Sequence, residues 1–200
     1  LIGQFFFVYQ NKHDRTNKTD AIGVLVYENE DQLSPSAWYK KKFSVSGSEA
    51  TSTVDGYQSI RIGTSTYVAA TNLNGSTLYT NIYVLGYNDD AGTDVVNIFN
   101  QMLKNFRLNV NENSFAYNGV DAATALGYVR SDTRRVADLK EYQQSLIDYS
   151  NATGTFPQLA AGSYIATLST SAWPSWTQTL GAELQSQSGF VTHVDPVNAF

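Results

Sequence analysis

Apolar and β-branched residues in the first half of the chain come in short runs separated by polar turns. Phe5 to Tyr9 and Ile22 to Tyr27 are apolar, aromatic or β-branched, and the polar stretch NKHDRTNKTD lies between them; the pattern predicts two strands joined by a loop. Trp38 to Val45, following Ser34-Pro35-Ser36, predicts a further strand decorated by Lys40, Lys41 and Lys42. Tyr57 to Ile62 alternates without a clean polar/apolar split and stops at Gly63. Thr66 to Ala70 and Leu78 to Tyr87 flank Asn72-Leu73-Asn74-Gly75, a hairpin-like turn whose Asn-Gly tolerates positive φ. Leu78 to Tyr87 is nearly continuous in apolar and β-branched residues, as a central strand buried on both faces would be.

The period then changes. Thr93-Asp94 caps a predicted helix in which Val95, Ile98, Phe99, Met102, Leu103 and Phe106 recur on one broad face. Lys104 and Arg107 suit its C-terminal dipole. Residues 109–127 read as a linker. Ser131 is the predicted N-cap of a polar amphipathic helix, with a stripe of Val136, Leu139, Tyr142, Leu146 and Tyr149, ended by Asn151 to Gly154. Short strands or turns around Tyr164 to Leu168 and a helix over Ser175 to Leu184, opened by Pro174, complete the reading. The predicted fold class is α+β. A mostly antiparallel sheet with a covering helix spans residues 1–108, and a helix with a small β/loop head spans 128–200.

Composition narrows the class. Of 200 residues, 42% are hydrophobic and 13% aromatic, enough for a packed core. A net charge of −5 argues against a nucleic-acid partner, because phosphate binding needs a basic surface. No apolar run reaches the length needed to cross a bilayer. Without cysteine there is neither a disulfide staple nor a thiolate metal site. Only 16% of residues are charged, and the abundant Ser, Thr, Asn, Gly and Tyr are typical of exported β-rich proteins. Leu at position 1 suggests a processing point or a cut. After Lys140 there is no Lys or Arg, so Glu141, Asp148, Glu183 and Asp195 are expected to lack basic partners within that tail.

Arg134-Arg135-Val136-Ala137-Asp138-Leu139, followed by Leu146, Tyr149, Gly154 and Phe156-Pro157, resembles the polar half of the long helix in bacterial type IV pilins and type II secretion pseudopilins. Val194-Asp195-Pro196 resembles the proline-containing loop of the major pseudopilins. The resemblance covers residues 131–200. It implies a pilin-like head in a surface filament. In several pseudopilins that loop helps bind calcium, for which Asp195, Asn198 and nearby carbonyls supply part of the oxygen set; a plain Asp-Pro turn is the preferred reading. The family's apolar anchoring helix has no counterpart in the preceding NGVDAATALGY. Either a pilin-like head is grafted onto another protein, or pilin-type assembly does not apply. Asn97 to Leu108, closing a β-rich body, is similar to the end of PsbP-like α/β sandwich domains, which implies a binding or assembly accessory.

Sites for chemistry are sparse. His13 and His193 are the two histidines, and neither lies near a nucleophile motif; no P-loop, G-x-S-x-G or dinucleotide fingerprint is present. No cofactor is expected. The expectation is a non-catalytic structural or adhesion protein of a bacterial surface or extracellular filament. Its partners would be other protein subunits, in a homo-oligomer or filament. The apolar terminus supplies the candidate interface: Ile2, Phe5, Phe6, Phe7, Val8 and Tyr9, pairing with a neighbour's sheet edge. One rival is a carbohydrate- or ligand-binding module using Tyr39, Tyr57, Tyr67, Tyr79, Tyr83, Tyr87, Trp173 and Trp176. Another is a hydrolase drawing acids from Asp89, Asp90, Glu183 and Asp195.

Overall fold

A computed structural model describes residues 1–10, 19–44, 48–74, 77–108, 120–158, 162 and 164–197. His13 and most of the expected linker, 109–119, lie outside these residues. The chain forms two compact units, Leu1–Thr133 and Arg134–Phe200.

The first unit is a six-stranded antiparallel sheet with helices on its faces. Its strands are β1 (Gly3–Gln10), β2 (Thr19–Glu28), β3 (Ala50–Val54), β4 (Tyr57–Ile62), β5 (Ser65–Asn74) and β6 (Thr77–Tyr87), in the order β1-β2-β6-β5-β4-β3. β6 is central, as its apolar continuity predicts. Helix α2 (Thr93–Asn105) covers one face, seating Val95 and Phe99 against Ile22, Val24, Val68 and Leu85. Ile98, expected on that face, is 51% exposed. The helix is not capped by Thr93-Asp94. Gly92 is the N-cap, and its N–H donates to Asp20 Oδ2 at 2.9 Å, from β2.

The second face is covered by α1 (Pro35–Phe43), where a strand over Trp38 to Val45 was expected. The local chemistry explains the helix. Ser34 is extended and its Oγ accepts from the Ala37 N–H at 3.2 Å; Pro35 occupies the first turn, where its missing N–H costs nothing. Lys40, Lys41 and Lys42 then sit in the last turn, where cations suit the dipole, and Ser44 closes the helix at φ 52°. Trp38 is buried against Ile60, Tyr67, Ala69, Ile82 and Val84. Its ring lies 5.3 Å from that of Tyr27 and 6.4 Å from that of Tyr67.

β3 and β4 form a hairpin with a two-residue turn, Asp55-Gly56, at φ 50° and 78°. Two successive positive φ values define the turn type that matches strand twist, and Asp-Gly is suited to it. The Asp55 carboxylate accepts from the Leu108 N–H at 3.0 Å and from Arg130 at 2.9 Å. Arg130 also lies over the Tyr57 ring, 5.6 Å from its centroid.

Arg130 belongs to α3 (Ala122–Thr153), which begins well before the expected Ser131 cap and takes in part of the expected linker. Asp121 starts it, accepting from the Ala123 and Thr124 N–H groups at 3.0 Å each and from the Thr124 hydroxyl at 2.7 Å. These bonds hold the exposed Asp121 carboxyl below its usual pKa. Ala125 and Val129 are fully buried, and Thr133 shares a hydrogen bond with Thr71 of β5. The boundary between the two units falls inside α3.

The second unit contains the rest of α3, a 3-10 turn (Thr170–Ala172), a π-helical stretch (Ser175–Leu180) that runs on into α4 (Gly181–Ser188), and a loop over 189–197. No strand occurs among its described residues, so α3 docks on helix and loop where a small sheet was expected. Tyr142, Leu180 and Leu184 form its core, with Leu146, Tyr149, Trp176 and Phe190 packed around them. Leu139 of the expected stripe is 65% exposed. The buried line runs instead through Asp138, Tyr142 and Ser145, at four- and three-residue steps.

Asp55→Ala is expected to destabilise the protein by about 1–3 kcal/mol in urea unfolding, because it strips partners from Arg130 and the Leu108 N–H. Asp55→Asn tolerates the positive φ and can still accept from Leu108, so it should lose less. Equal stability of Asp55→Ala and the parent would contradict this role.

Candidate functional site

β1 is the only candidate interface element predicted from sequence, and it lies at an edge of the sheet. Its register on β2 sets where each side chain points. Phe5, Phe7 and Tyr9 oppose Val24, Ile22 and Asp20, on the α2 side of the sheet. Gln4, Phe6 and Val8 oppose Leu25, Gly23 and Ala21, on the α1 side. The Phe6 ring lies on the backbone of Gly23: a Cβ there would meet Phe6 Cε1 at 3.0 Å. Ile2 precedes the strand, and its N–H donates to the Val26 carbonyl at 2.8 Å.

Among the described residues of the first unit, neither α1 nor α2 packs on β1 as it does on the inner strands. Helix α2 packs on β2 and β6, and α1 packs on β4 and β5. Ile2 is 52% exposed, Phe5 62%, Phe6 58%, Phe7 61%, Val8 68% and Tyr9 44%, so large apolar groups meet solvent on both faces of one strand. Leu1 to Gln10 contain no charged side chain and no proline, the usual protections of a free edge. The opposite edge, β3, is five residues long and polar, with sequence ATSTV.

A second feature, a charged clasp in the second unit, was not read from the sequence as a unit. Arg135 donates two hydrogen bonds to Asp195, at 2.8 and 3.0 Å. Asp195 in turn accepts from the Val197 N–H at 2.8 Å, and its own N–H donates to Ser171 Oγ at 3.0 Å. Asp195-Pro196 is thus a turn neutralised by a guanidinium from outside the tail, that of Arg135 further up the chain. His193 lies between two carboxylates of α3, with Nε2 at 3.1 Å from Glu141 and Nδ1 at 3.8 Å from Asp138. Arg134 Nε is 3.7 Å from Asp138. The Tyr142 hydroxyl joins three elements. It accepts from the His193 N–H at 3.0 Å and from Trp176 Nε1 at 2.7 Å, and donates to the His193 carbonyl at 3.3 Å.

This geometry fastens a loop. Both His193 ring nitrogens face carboxylates, so the hydroxyl partner of a Ser-His-Asp relay is missing among the described residues. The acids of the hydrolase reading are each held locally. Asp89 accepts from Thr64 at 3.0 Å, Asp90 from Asn88 at 2.6 Å, and Glu183 from Tyr149 at 3.1 Å. In retrospect the signal for the clasp is Arg134-Arg135-x-x-Asp138-x-x-Glu141, whose three- and four-residue steps gather both signs on one helix face.

Burial pushes the Asp138 carboxyl up to about 6, against the lowering pull of His193 and Arg134. The hydrogen bond to Glu141, helped by the charge of Asp138, raises His193 above its ordinary value despite burial. Both groups therefore bind protons more tightly in the folded clasp than in the unfolded chain. Their stabilising effect is present at low pH and is lost as pH rises through about 6 and then through the raised histidine value. Amide exchange of residues 192–197, corrected for intrinsic rates, should show greater protection at pH 5 than at pH 8. His193→Gln should remove the histidine part of that dependence and leave the Asp138 part, and protection that increases with pH in the parent would contradict the account. No family model, no curated protein and no solved structure matches this chain.

Proposed function

We propose that this chain is a non-catalytic structural or adhesion subunit of an extracellular or bacterial cell-surface assembly, joined to other protein subunits by strand addition at β1. The observation that carries this reading is the state of β1: an uncharged edge strand with large apolar groups exposed on both faces. An edge of this kind is a template for another strand, whose main chain supplies hydrogen bonds while the side chains supply apolar contact.

The sequence resemblance of residues 131–200 favours a filament or pilus-like setting, while the small sheet expected with it is not found among the described residues of the second unit. The residues that resemble the pilin and pseudopilin helix include Arg135 and Asp138. Arg135 fastens the Asp195-Pro196 turn, and Asp138 faces His193 beside it. The low fraction of charged residues fits an exported surface. Among the described residues no helix is long and apolar enough to cross a membrane.

The carbohydrate-binding alternative is weaker, because most of its rings pack in cores. Tyr57 and Tyr67 are buried, Tyr83 and Tyr87 pack on the first core, Tyr39 on the second, and Trp176 on the core of the second unit. Tyr79 is the most exposed of these tyrosines, at 44%.

A photo-crosslinking phenylalanine analogue at position 6, in the full chain displayed on cells, tests the assembly reading without presuming the partner. Covalent protein adducts are expected there, and not from the same group at exposed Lys104 on α2. Val8→Lys, which charges the edge, should abolish them. Absence of adducts at position 6 would overturn the reading.

A further inference from the structure

We infer that the strand added to β1 is the β1 of a second copy of this chain, antiparallel and centred on Phe7. The inference rests on the assembly reading above and names its partner.

The first argument is symmetry. A two-fold axis normal to the sheet carries each face onto itself. It therefore allows only registers in which odd positions oppose odd and even oppose even, since side chains alternate along a strand. Centred on Phe7, the pairing sets Phe7 opposite its own copy, Phe6 opposite Val8, Phe5 opposite Tyr9 and Gln4 opposite Gln10. All of these positions lie within β1. Apolar groups oppose apolar groups, three aromatic pairs meet on the α2 side (Phe7 with its copy, and Phe5 with Tyr9 twice), and the amides meet each other at the ends. Centring on Phe6 instead would set Gln4 against Val8 and Gly3 against Tyr9.

Charge gives the second argument. Each copy carries a net charge of −5, so two copies repel over most approaches. Leu1 to Gln10 offer an approach with no charged side chain.

Area gives the third. Leu1, Ile2 and Phe5 to Tyr9 are 44–68% exposed. With aromatic side chains of ~150–250 Å² and smaller aliphatic ones, this leaves on the order of 700 Å² of apolar surface per copy, of which edge pairing buries the flanks turned towards the neighbouring strand and leaves the outer faces open. A standard stable interface buries roughly 800 Å² per partner. Pairing would extend each six-stranded sheet into one continuous sheet of twice that width.

The natural absence of cysteine makes the test clean. Single-cysteine variants Phe7→Cys and Phe6→Cys are prepared in the full chain, and far-UV circular dichroism checks that both fold. Directly opposed cross-strand Cβ atoms lie about 4.5–5.5 Å apart, close enough to oxidise with a small adjustment, whereas diagonal ones lie farther apart. Under mild oxidation Phe7→Cys should form covalent dimer at least about tenfold faster than Phe6→Cys. The parent should sediment as a dimer at tens of micromolar, and Val8→Lys as a monomer.

A monomeric parent with no covalent dimer from either variant overturns the inference. If position-6 adducts to a different protein nevertheless form on cells, the edge takes a strand from another subunit and the assembly reading stands without this one. If those adducts are absent as well, both fall. Faster dimerisation of Phe6→Cys than of Phe7→Cys overturns the register.

Discussion

A strand with apolar groups on both faces needs partners that remove those groups from water, and among its described residues the first unit supplies far more of them to β6 than to β1. β6 has neighbours on both sides, with α1 and α2 providing the outer layers, so its near-continuous apolar sequence is satisfied inside one chain. β1 has a similar character, yet it lies at the edge, beyond the strands on which the helices pack. Among the described residues, apolar side chains are thus covered at the centre of the sheet and exposed at its β1 margin. The functional reading follows from that mismatch between the sequence of β1 and its position.

The strands with strong apolar runs were legible in the sequence: β1, β2, β4 and β6 form where the pattern places them, and α2 follows its helical period. The misreadings have local causes. α1 was hidden because Trp38, Tyr39 and Phe43 around three lysines look like strand residues by type; the Ser34-Pro35 start, which encodes a helix N-terminus, outweighs them. β3 escaped notice because ATSTV is short and almost entirely polar, although the Asp55-Gly56 that follows is a strong hairpin signal. α3 begins early because Asp121 and Thr124 cap it, which leaves Ser131 in mid-helix.

In the second unit the sequence pattern pointed slightly round the helix from the face that is buried. The apolar stripe includes Leu139, which faces solvent, whereas neighbouring Asp138 is turned inward. A polar network decides the outcome. Tyr142 packs its ring on Trp176 and Phe190 while its hydroxyl holds the backbone of His193, and the charges of Arg135, Asp138 and Glu141 meet the loop that carries His193 and Asp195. Hydrophobic periodicity does not register groups that are buried because they are paired. The interface proposed at β1 rests on the opposite kind of signal: a run of phenylalanines, plain in the sequence, whose side chains stay exposed on an edge strand.

The most direct test of the central claim is amide hydrogen exchange across β1 as a function of protein concentration, with β6 as internal reference. If β1 requires cover from outside its own chain, its protection should rise with concentration towards that of β6, while β6 itself stays constant. Fast exchange along β1 that is the same from dilute to concentrated solution, in a protein that remains dispersed, would contradict the account.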